Sequence, residues 1–597
     1  MDSHDLVKAL AIVLCVAGVT TLVFQRLHQP VVLGYLIAGL IIGPHTPIPL
    51  VADLDNVRTL SELGVILLMF ALGLEFSLRK LLQVGPTAGV TALIQASLML
   101  WLGYVVGRAF GWTQLESVYA GALIAISSTT IIAKAFDEQG IRGRLREVVV
   151  GVLIVEDLIA ILLMATLTAL STGSGSALSA GAIALTVGRL AAFLVWLIGV
   201  GLLIVPRAIR AIVRLNQPEA TVVASLGICF AIALLAQEFG YSVALGAFLA
   251  GSLVAESGEE KTVEHLVRPV RDVFAAVFFV SVGMLIDPRL VQANWLAVVV
   301  LTMVVVLGKF AGVTLGAFLT GNGTRTSVQA GMSLAQIGEF SFIIAALGLS
   351  LKATGLFLYP VAVAVSAVTT LTTPWLIRAS GPVANWVDRK LPRPLQTFVS
   401  LYGSWIENLR RAPQRHTPGA QLRRVIRLLF VDAALLTLLI IGTSVWLSSL
   451  AVVLQERFGF GKGLARIVVI ASATSLALPF CIGIYQLARR LGLNLAERAL
   501  PMTASGTTDF AAAPRRAFVV TLQLASILLV GVPMVAVTQP FLPGFQGALV
   551  LLVLVVVLAI GFWKSATNLE GHVRAGAQAI LEVLAAQSKM AEPDPLG

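Results

Sequence analysis

Charge is what this chain has least of. Only 12% of its 597 residues are Asp, Glu, Lys or Arg, while 57% are hydrophobic, and the mean hydropathy is +0.92. A water-soluble domain carries about 25% charged residues. Half of that leaves too little polar surface to cover a globule, so a soluble fold is excluded and an all-α polytopic membrane protein is expected. Cysteine is equally scarce. Cys15, Cys229 and Cys481 each sit alone in an apolar run, which excludes a disulfide framework and a thiolate metal site. The N-terminal MDSHD has no basic n-region, so the first apolar span is expected to stay in the mature chain. The net charge of +11 does not point to nucleic acid, because the basic residues lie in short loops and no basic domain with interleaved aromatics occurs. There is no nucleophile triad, metal cluster or phosphate loop, and no G-x-G-x-x-G follows a strand. The chain is therefore expected to be no enzyme, to carry no cofactor and to contain no nucleotide-binding domain.

What the sequence does have is apolar runs about 20 residues long, the length that crosses a bilayer. Thirteen are expected before residue 380, near 5–25, 29–44, 58–77, 86–110, 116–136, 146–170, 180–205, 219–238, 240–256, 270–287, 291–319, 326–350 and 354–378. Four more follow near 425–449, 465–488, 517–538 and 546–563. The division predicted is a membrane domain over 1–380, a polar, basic, proline-containing cytoplasmic linker over 381–424, a four-span accessory module over 425–565 and a cytoplasmic tail over 566–597. That tail is read as a short helix, Val573 to Ser588, and then disorder. One alternate set of loops holds Arg26, Arg79, Lys80, Lys134, Arg142, Arg144, Arg146, Arg207, Arg210, Arg214, Lys261, Arg268, Arg271, Arg325 and Arg378. The other set holds little beyond Arg58, Arg289 and Lys352, so the first is expected inside, with the N-terminus outside and the C-terminus cytoplasmic.

The chain also repeats. LGYLIAG (Leu33 to Gly39) returns as LGAFLAG (Leu245 to Gly251), and LLMFALGLEFSLRKL from Leu67 returns loosely as VFFVSVGMLIDPRLV from Val277. Both offsets are about 210 residues. Seven spans separate the copies, an odd number, so the copies run in opposite directions. The repeats, near 1–175 and 216–380, are expected to be inverted, with an ion site at the midplane between them. The offset also relates AISSTTIIAKAF to SLAQIGEFSF, aligning the hydroxyl run Ser127, Ser128, Thr129 and Thr130 with Gln336, Gly338 and Glu339. Polar or helix-weakening residues at matched mid-span positions predict a pair of broken, crossing helices that line an ion cavity.

Ionisable residues deep in the spans are few: Glu156, Asp157, Lys309 and Glu339. Each costs roughly 2.5–3.5 kcal/mol by insertion scales, so each needs compensation. Lys309 is the natural partner for one carboxylate of the Glu156–Asp157 pair. Adjacent helical residues project about 100° apart, so one can meet Lys309 while the other faces the cavity. Two close carboxylates repel, and one that holds either a proton or a cation supplies the chemistry of exchange. A monovalent cation is expected at Asp157, its shell completed by Ser/Thr and broken-helix oxygens. Glu339 is read either as a further site residue or as a cap on a half-helix.

With these stretches in view, residues 1 to about 380 resemble the monovalent cation:proton antiporter-2 family, including Kef-type potassium efflux systems. VVLGYLIAGLIIGP, LGVILLMFALGLEFSLRKL, AISSTTI, VEDL, ALGAFLAGSLVAES, FFVSVGMLIDP, VLGKF and AQIGEFSFI carry the likeness. The resemblance implies a 13-helix inverted-repeat sodium/proton-antiporter-like fold and an elevator-like motion of a core against a dimerising domain. It implies Asp157 as the obligate ion and proton site, paired directly or through its neighbour with Lys309. The site departs from the family in being Glu-Asp rather than Gln-Asp or Asp-Asp, and four extra spans stand where Kef-type members usually carry a nucleotide-binding domain. The function expected is an antiporter exchanging K⁺ or Na⁺ for protons by alternating access, as a homodimer in a bacterial inner membrane, with membrane lipid and no nucleic acid as partner. A cation channel is the alternative, as is a non-transporting sensor or scaffold. Channels usually build their filters on a symmetry axis from several subunits, so one acid pair and one lysine per chain favour the carrier.

Overall fold

The computed structural model describes residues 3–26, 31–46, 50–51, 54–75, 85–172, 180–411, 419–500, 512–542 and 544–590. The basic pair Arg79 and Lys80 lies outside them, as does 591–597. Among the described residues the chain is helical, with no strand. In chain order the helices begin with α1 (Ser3–Arg26), α2 (Val31–Ile42), α3 (Leu54–Glu75), α4 (Pro86–Ala109), α5 (Gln114–Ala125), α6 (Thr129–Glu138) and α7 (Arg144–Thr172). Next come α8 (Ala180–Val213), α9 (Pro218–Glu238), α10 (Val243–Ala255), α11 (Glu260–Met284), α12 (Pro288–Ala293), α13 (Trp295–Leu319), α14 (Thr324–Ser333) and α15 (Glu339–Ser350). The last are α16 (Leu358–Lys390), α17 (Arg393–Arg411), α18 (Gly419–Phe458), α19 (Lys462–Ala499), α20 (Ala512–Thr538) and α21 (Gln546–Met590).

Among the described residues, eleven helices are long and apolar enough to cross a membrane by length and composition, and four more are apolar but shorter. Seventeen spans were expected, and the difference has local causes. The runs near 116–136 and 326–350 are each broken into two half-helices. Val31–Ile42 and Val243–Ala255 fall below spanning length, and of the 22 residues of α3 the apolar stretch described is Thr59–Leu74. Helix α11 opens with the charged turns EKTVEHLVRPVRD before its apolar half.

The helices form two compact units: Met1–Ala311 with Met332–Leu376, and Gly312–Gly331 with Ile377–Gly597. The boundaries therefore fall inside α13, α14 and α16, and not in a loop. The core of the first unit gathers Phe70, Tyr119, Phe278, Phe340 and Phe342. Among the described residues, the repeated glycines make very close helix contacts. A Cβ on Gly39 of α2 would stand 2.0 Å from the Val280 carbonyl of α11, and one on Gly283 would stand 2.3 Å from the Leu36 carbonyl. At the matching pair, a Cβ on Gly73 of α3 would meet the Phe248 carbonyl of α10 at 2.2 Å, and one on Gly251 the Phe70 carbonyl at 2.1 Å. The first copy's LGYLIAG helix thus packs on the second copy's VFFVSVG helix, and the second copy's LGAFLAG helix on the first copy's LLMFALG helix. Small residues let helix backbones approach this closely. Gly39→Val or Gly251→Val should therefore force backbones apart and cost at least the ~1–3 kcal/mol of overpacking. Gly89→Ala, whose Cβ meets nothing within 4 Å, should be neutral or gain about 0.5–1 kcal/mol. Thermal unfolding in detergent separates the two, and equal midpoints would contradict the packing argument.

The second unit differs from expectation at 381–424. Helix α16 runs on to Lys390, and α17 fills most of the stretch read as a linker. Phe398, Tyr402, Trp405 and Ile406 are buried at helical spacing, a stripe that average polarity and proline content conceal. They pack with Phe518 and Phe562. Residues 412–418 lie outside the described residues. The tail expected to be a separate helix continues α21 without interruption to Met590.

Candidate functional site

Helix α5 stops at Ala125, and Ile126 and Ser128 are extended (φ −105°, ψ 135° and φ −90°, ψ 122°). Ser128 then caps α6, its Oγ accepting from the Ile131 N–H at 3.4 Å. A second break, residues 334–338, separates α14 from α15. The two breaks lie against each other. The Gly338 N–H donates to the Ile126 carbonyl at 3.2 Å, Gln336 Nε2 to the Ser128 carbonyl at 3.1 Å, and Ser127 Oγ to the Leu334 carbonyl at 3.3 Å. A Cβ on Gly338 would stand 2.7 Å from Ser128 Cα, so the crossing requires glycine there. Helix breaks in a dry interior leave backbone groups that must find partners. Buried Gln95 of α4 donates to the Ala125 carbonyl at 2.9 Å. From α16, Thr369 Oγ1 accepts from the Ile337 N–H at 3.4 Å and Ser366 Oγ donates to the Ile337 carbonyl at 3.2 Å. These three residues were not anticipated; their only trace in the sequence is polarity inside an apolar run.

Three successive residues at the first break and the start of α6 engage three different acids. The Ser127 N–H donates to Glu156 Oε2 at 2.7 Å. Ser128 Oγ donates to Glu339 Oε2 at 2.6 Å. Thr129 Oγ1 donates to Asp157 Oδ2 at 3.2 Å. Lys309 Nζ donates to Ser127 Oγ at 2.7 Å. Glu156 and Lys309 are both fully buried and attract each other. The lysine and glutamate are therefore joined through Ser127, and Asp157, about 100° further around α7, is half-buried. Thr130 lies in the first turn of α6; its side chain is outside the described residues. Two buried acceptors at the crossing, Glu156 Oε1 and Gln336 Oε1, make no hydrogen bond, a state that costs about 1–3 kcal/mol per group. The cluster thus offers carboxylate, amide and hydroxyl oxygens in one place, a donor set for a hard monovalent cation. Ser127→Ala should cost about 1.5–3 kcal/mol, because it strips the buried ammonium of its acceptor; unfolding in detergent measures it.

Residues 11–378 match the family described as "Sodium/hydrogen exchanger, transmembrane". The chain belongs to the sodium/hydrogen exchanger family. The putative cation/proton antiporter YbaL of Escherichia coli (strain K12) is 35% identical over 346 residues, 57% of this chain and 62% of that protein. K(+) efflux antiporter 5 of Arabidopsis thaliana is 32% identical over 384 residues, 62% of this chain and 66% of that protein. The chain thus spans less than two thirds of the length of these curated relatives. They bear out the antiporter-2, Kef-type resemblance, and they are transporters rather than enzymes. The sodium proton antiporter MjNhaP1 from Methanocaldococcus jannaschii shares the fold at a TM-score of 0.52 and 16% identity, over 64% of this chain and 99% of that one.

This exchanger-family chain also has a cavity of about 780 Å³. Its lining includes Glu62, Tyr241, Lys352, Tyr359, Met164 of α7 and Ile343 of α15. Met164 lies seven residues beyond Asp157, two helical turns along the same face of α7. Ile343 lies one turn beyond Glu339. The mouth is built from the ends of α9 and α15 and the starts of α3, α10 and α16, the side expected to be outside.

Proposed function

We propose that the chain exchanges a monovalent cation, K⁺ or Na⁺, for protons, with Asp157 as the group that holds one or the other. The observation that carries this is the division of labour at Glu156–Asp157. Glu156 is tied to Lys309 through Ser127, while Asp157 accepts from Thr129 at the rim of the break and is half-buried. An ionised acid in such a place needs a counter-charge. For Glu156 that counter-charge is Lys309. Asp157 takes a proton or a cation, and each excludes the other. The cation's shell is filled by Thr129 and by the oxygens of the crossing, Glu156 Oε1 and Gln336 Oε1.

The 210-residue repeat and the two crossed helix breaks support alternating access. The exchanged glycine contacts are those of a pseudo-two-fold, and the cavity is lined in part by Met164, two turns along α7 from Asp157. An elevator-like movement of the broken-helix core would then present the same residue to the cytoplasm. The expected homodimer and the cytoplasmic C-terminus belong to the same reading. Dequenching of a pH-sensitive dye in proteoliposomes tests it, with K⁺ and Na⁺ added separately. Cation-driven proton release supports exchange; cation current with no proton movement would replace it with a channel. Glu62, exposed on the cavity wall, should raise the local cation concentration. Glu62→Gln should raise the apparent KM about two- to fivefold at 10 mM ionic strength and by nothing at 0.5 M, where charges are screened.

A further inference from the structure

The segment Gly312–Gly331 belongs to the second unit by its contacts, yet both of its ends lead into the ion site. Three residues before it stands Lys309; three residues after it stands Leu334, whose carbonyl accepts Ser127 Oγ. Within the second unit this segment is gripped by α17. Tyr402, 1% exposed, donates its hydroxyl to the Leu319 carbonyl at 2.7 Å. Its ring stacks on Phe318 at 5.5 Å and on Phe398 at 5.2 Å, and meets Phe518 edge-on at 5.7 Å. Leu319 is the last residue of α13, the helix that carries Lys309, so Tyr402 satisfies a carbonyl orphaned by the helix end. Burial pushes the phenol up, which keeps it a donor. Gly321 follows with φ +90°, and a Cβ there would stand 2.5 Å from Ile406 Cγ2. The turn is closed by the Asn322 N–H on the Ala317 carbonyl at 3.1 Å and by Asn322 Nδ2 on the same carbonyl at 3.0 Å.

We infer that Tyr402 of α17 is a positioning residue for exchange, its clasp fixing the α13–α14 connection and thereby Lys309 and the second break. The inference rests on the exchange reading above. A turn held by an aromatic cluster, a hydrogen bond and a steric lock has few alternative arrangements, and its two arms are the helices that deliver the lysine and Leu334.

The test uses the full chain reconstituted in lipid, as Tyr402→Phe, which loses only the hydrogen bond, and Tyr402→Ala, which loses the ring too. Hydrogen exchange read by mass spectrometry should quicken by about tenfold or more in peptides covering 320–338 for Tyr402→Ala, with α19 still protected. The apparent KM for the driving cation should shift by about three- to tenfold with a smaller change in maximal rate, and Tyr402→Phe should fall between wild type and Tyr402→Ala on both readouts. Ser404→Ala, exposed on the same helix, should match wild type. If Tyr402→Ala loosens α17 alone and leaves 332–338 and the KM as in wild type, the clasp does not position the site and the inference is overturned. A wild-type protein that moved no protons would overturn the exchange reading instead, and the amide exchange at 332–338 would still decide whether the clasp holds.

Discussion

Asp157→Asn is expected to lower cation-driven proton movement by roughly 100-fold or more, the range over which loss of a positioned proton-carrying group is felt, while the protein folds as before. Asparagine has the same shape and keeps an oxygen for the Thr129 hydroxyl, whose bond to Asp157 is 3.2 Å in the wild type. It can neither ionise nor take up a proton. With no change of charge at the site, nothing couples departure of one cargo to arrival of the other. Removal of a half-buried charge from a membrane helix is also a relief, so the unfolding midpoint should stay the same or rise. Loss of transport with a raised midpoint is the signature of a functional acid, whereas a structural acid would lose both together. Proton flux equal to wild type in Asp157→Asn would remove Asp157 from the mechanism.

Lys309→Met carries the second large effect, and it is on stability. The ammonium is fully buried, bonded to Ser127 and opposed by Glu156. Removing it strands a buried carboxylate, a change that costs about 3–5 kcal/mol. Glu156→Gln strands the ammonium instead and should be comparably harmful. The double variant replaces both charges by neutral groups of similar size, and its cost should be smaller than either single one, because mutual attraction only partly repays desolvation. A double-mutant cycle of unfolding free energies in detergent should give a coupling of about 2 kcal/mol or more. Additive losses would mean that Glu156 and Lys309 do not act as a pair, and the sharing of roles between Glu156 and Asp157 would lose its basis.

Much of the site is legible in the sequence because a membrane interior makes polarity expensive. Glu156, Asp157, Lys309 and Glu339 stand out among apolar neighbours, and the 210-residue offset places the Ser127–Thr130 run against Gln336–Glu339. The structure brings these two segments into hydrogen-bond contact. What the offset leaves undecided is which carboxylate faces Lys309, since a 100° step separates two residues without fixing where the partner helix lies. Gln95, Ser366 and Thr369 were missed for a related reason. They serve backbone groups, and a carbonyl left over at a helix break has no sequence signature of its own. The fold-level misses come from averaging. Residues 393–411 are polar in mean composition, yet Phe398, Tyr402, Trp405 and Ile406 form one apolar stripe. The assignment of 312–331 to the second unit depends on contacts made some 80 residues further along the chain, such as Tyr402 to Leu319, and no local pattern announces them.

The central claim is that proton and cation compete for one carboxylate. The apparent KM for the driving cation, measured in proteoliposomes across a series of pH values, tests it most directly. Below the pH at which Asp157 ionises, binding linkage requires the KM to rise by about tenfold for each unit of acidification while the rate at saturating cation stays level. A KM that does not change with pH, with the maximal rate falling in its place, would put the proton on a different group from the cation and contradict the account.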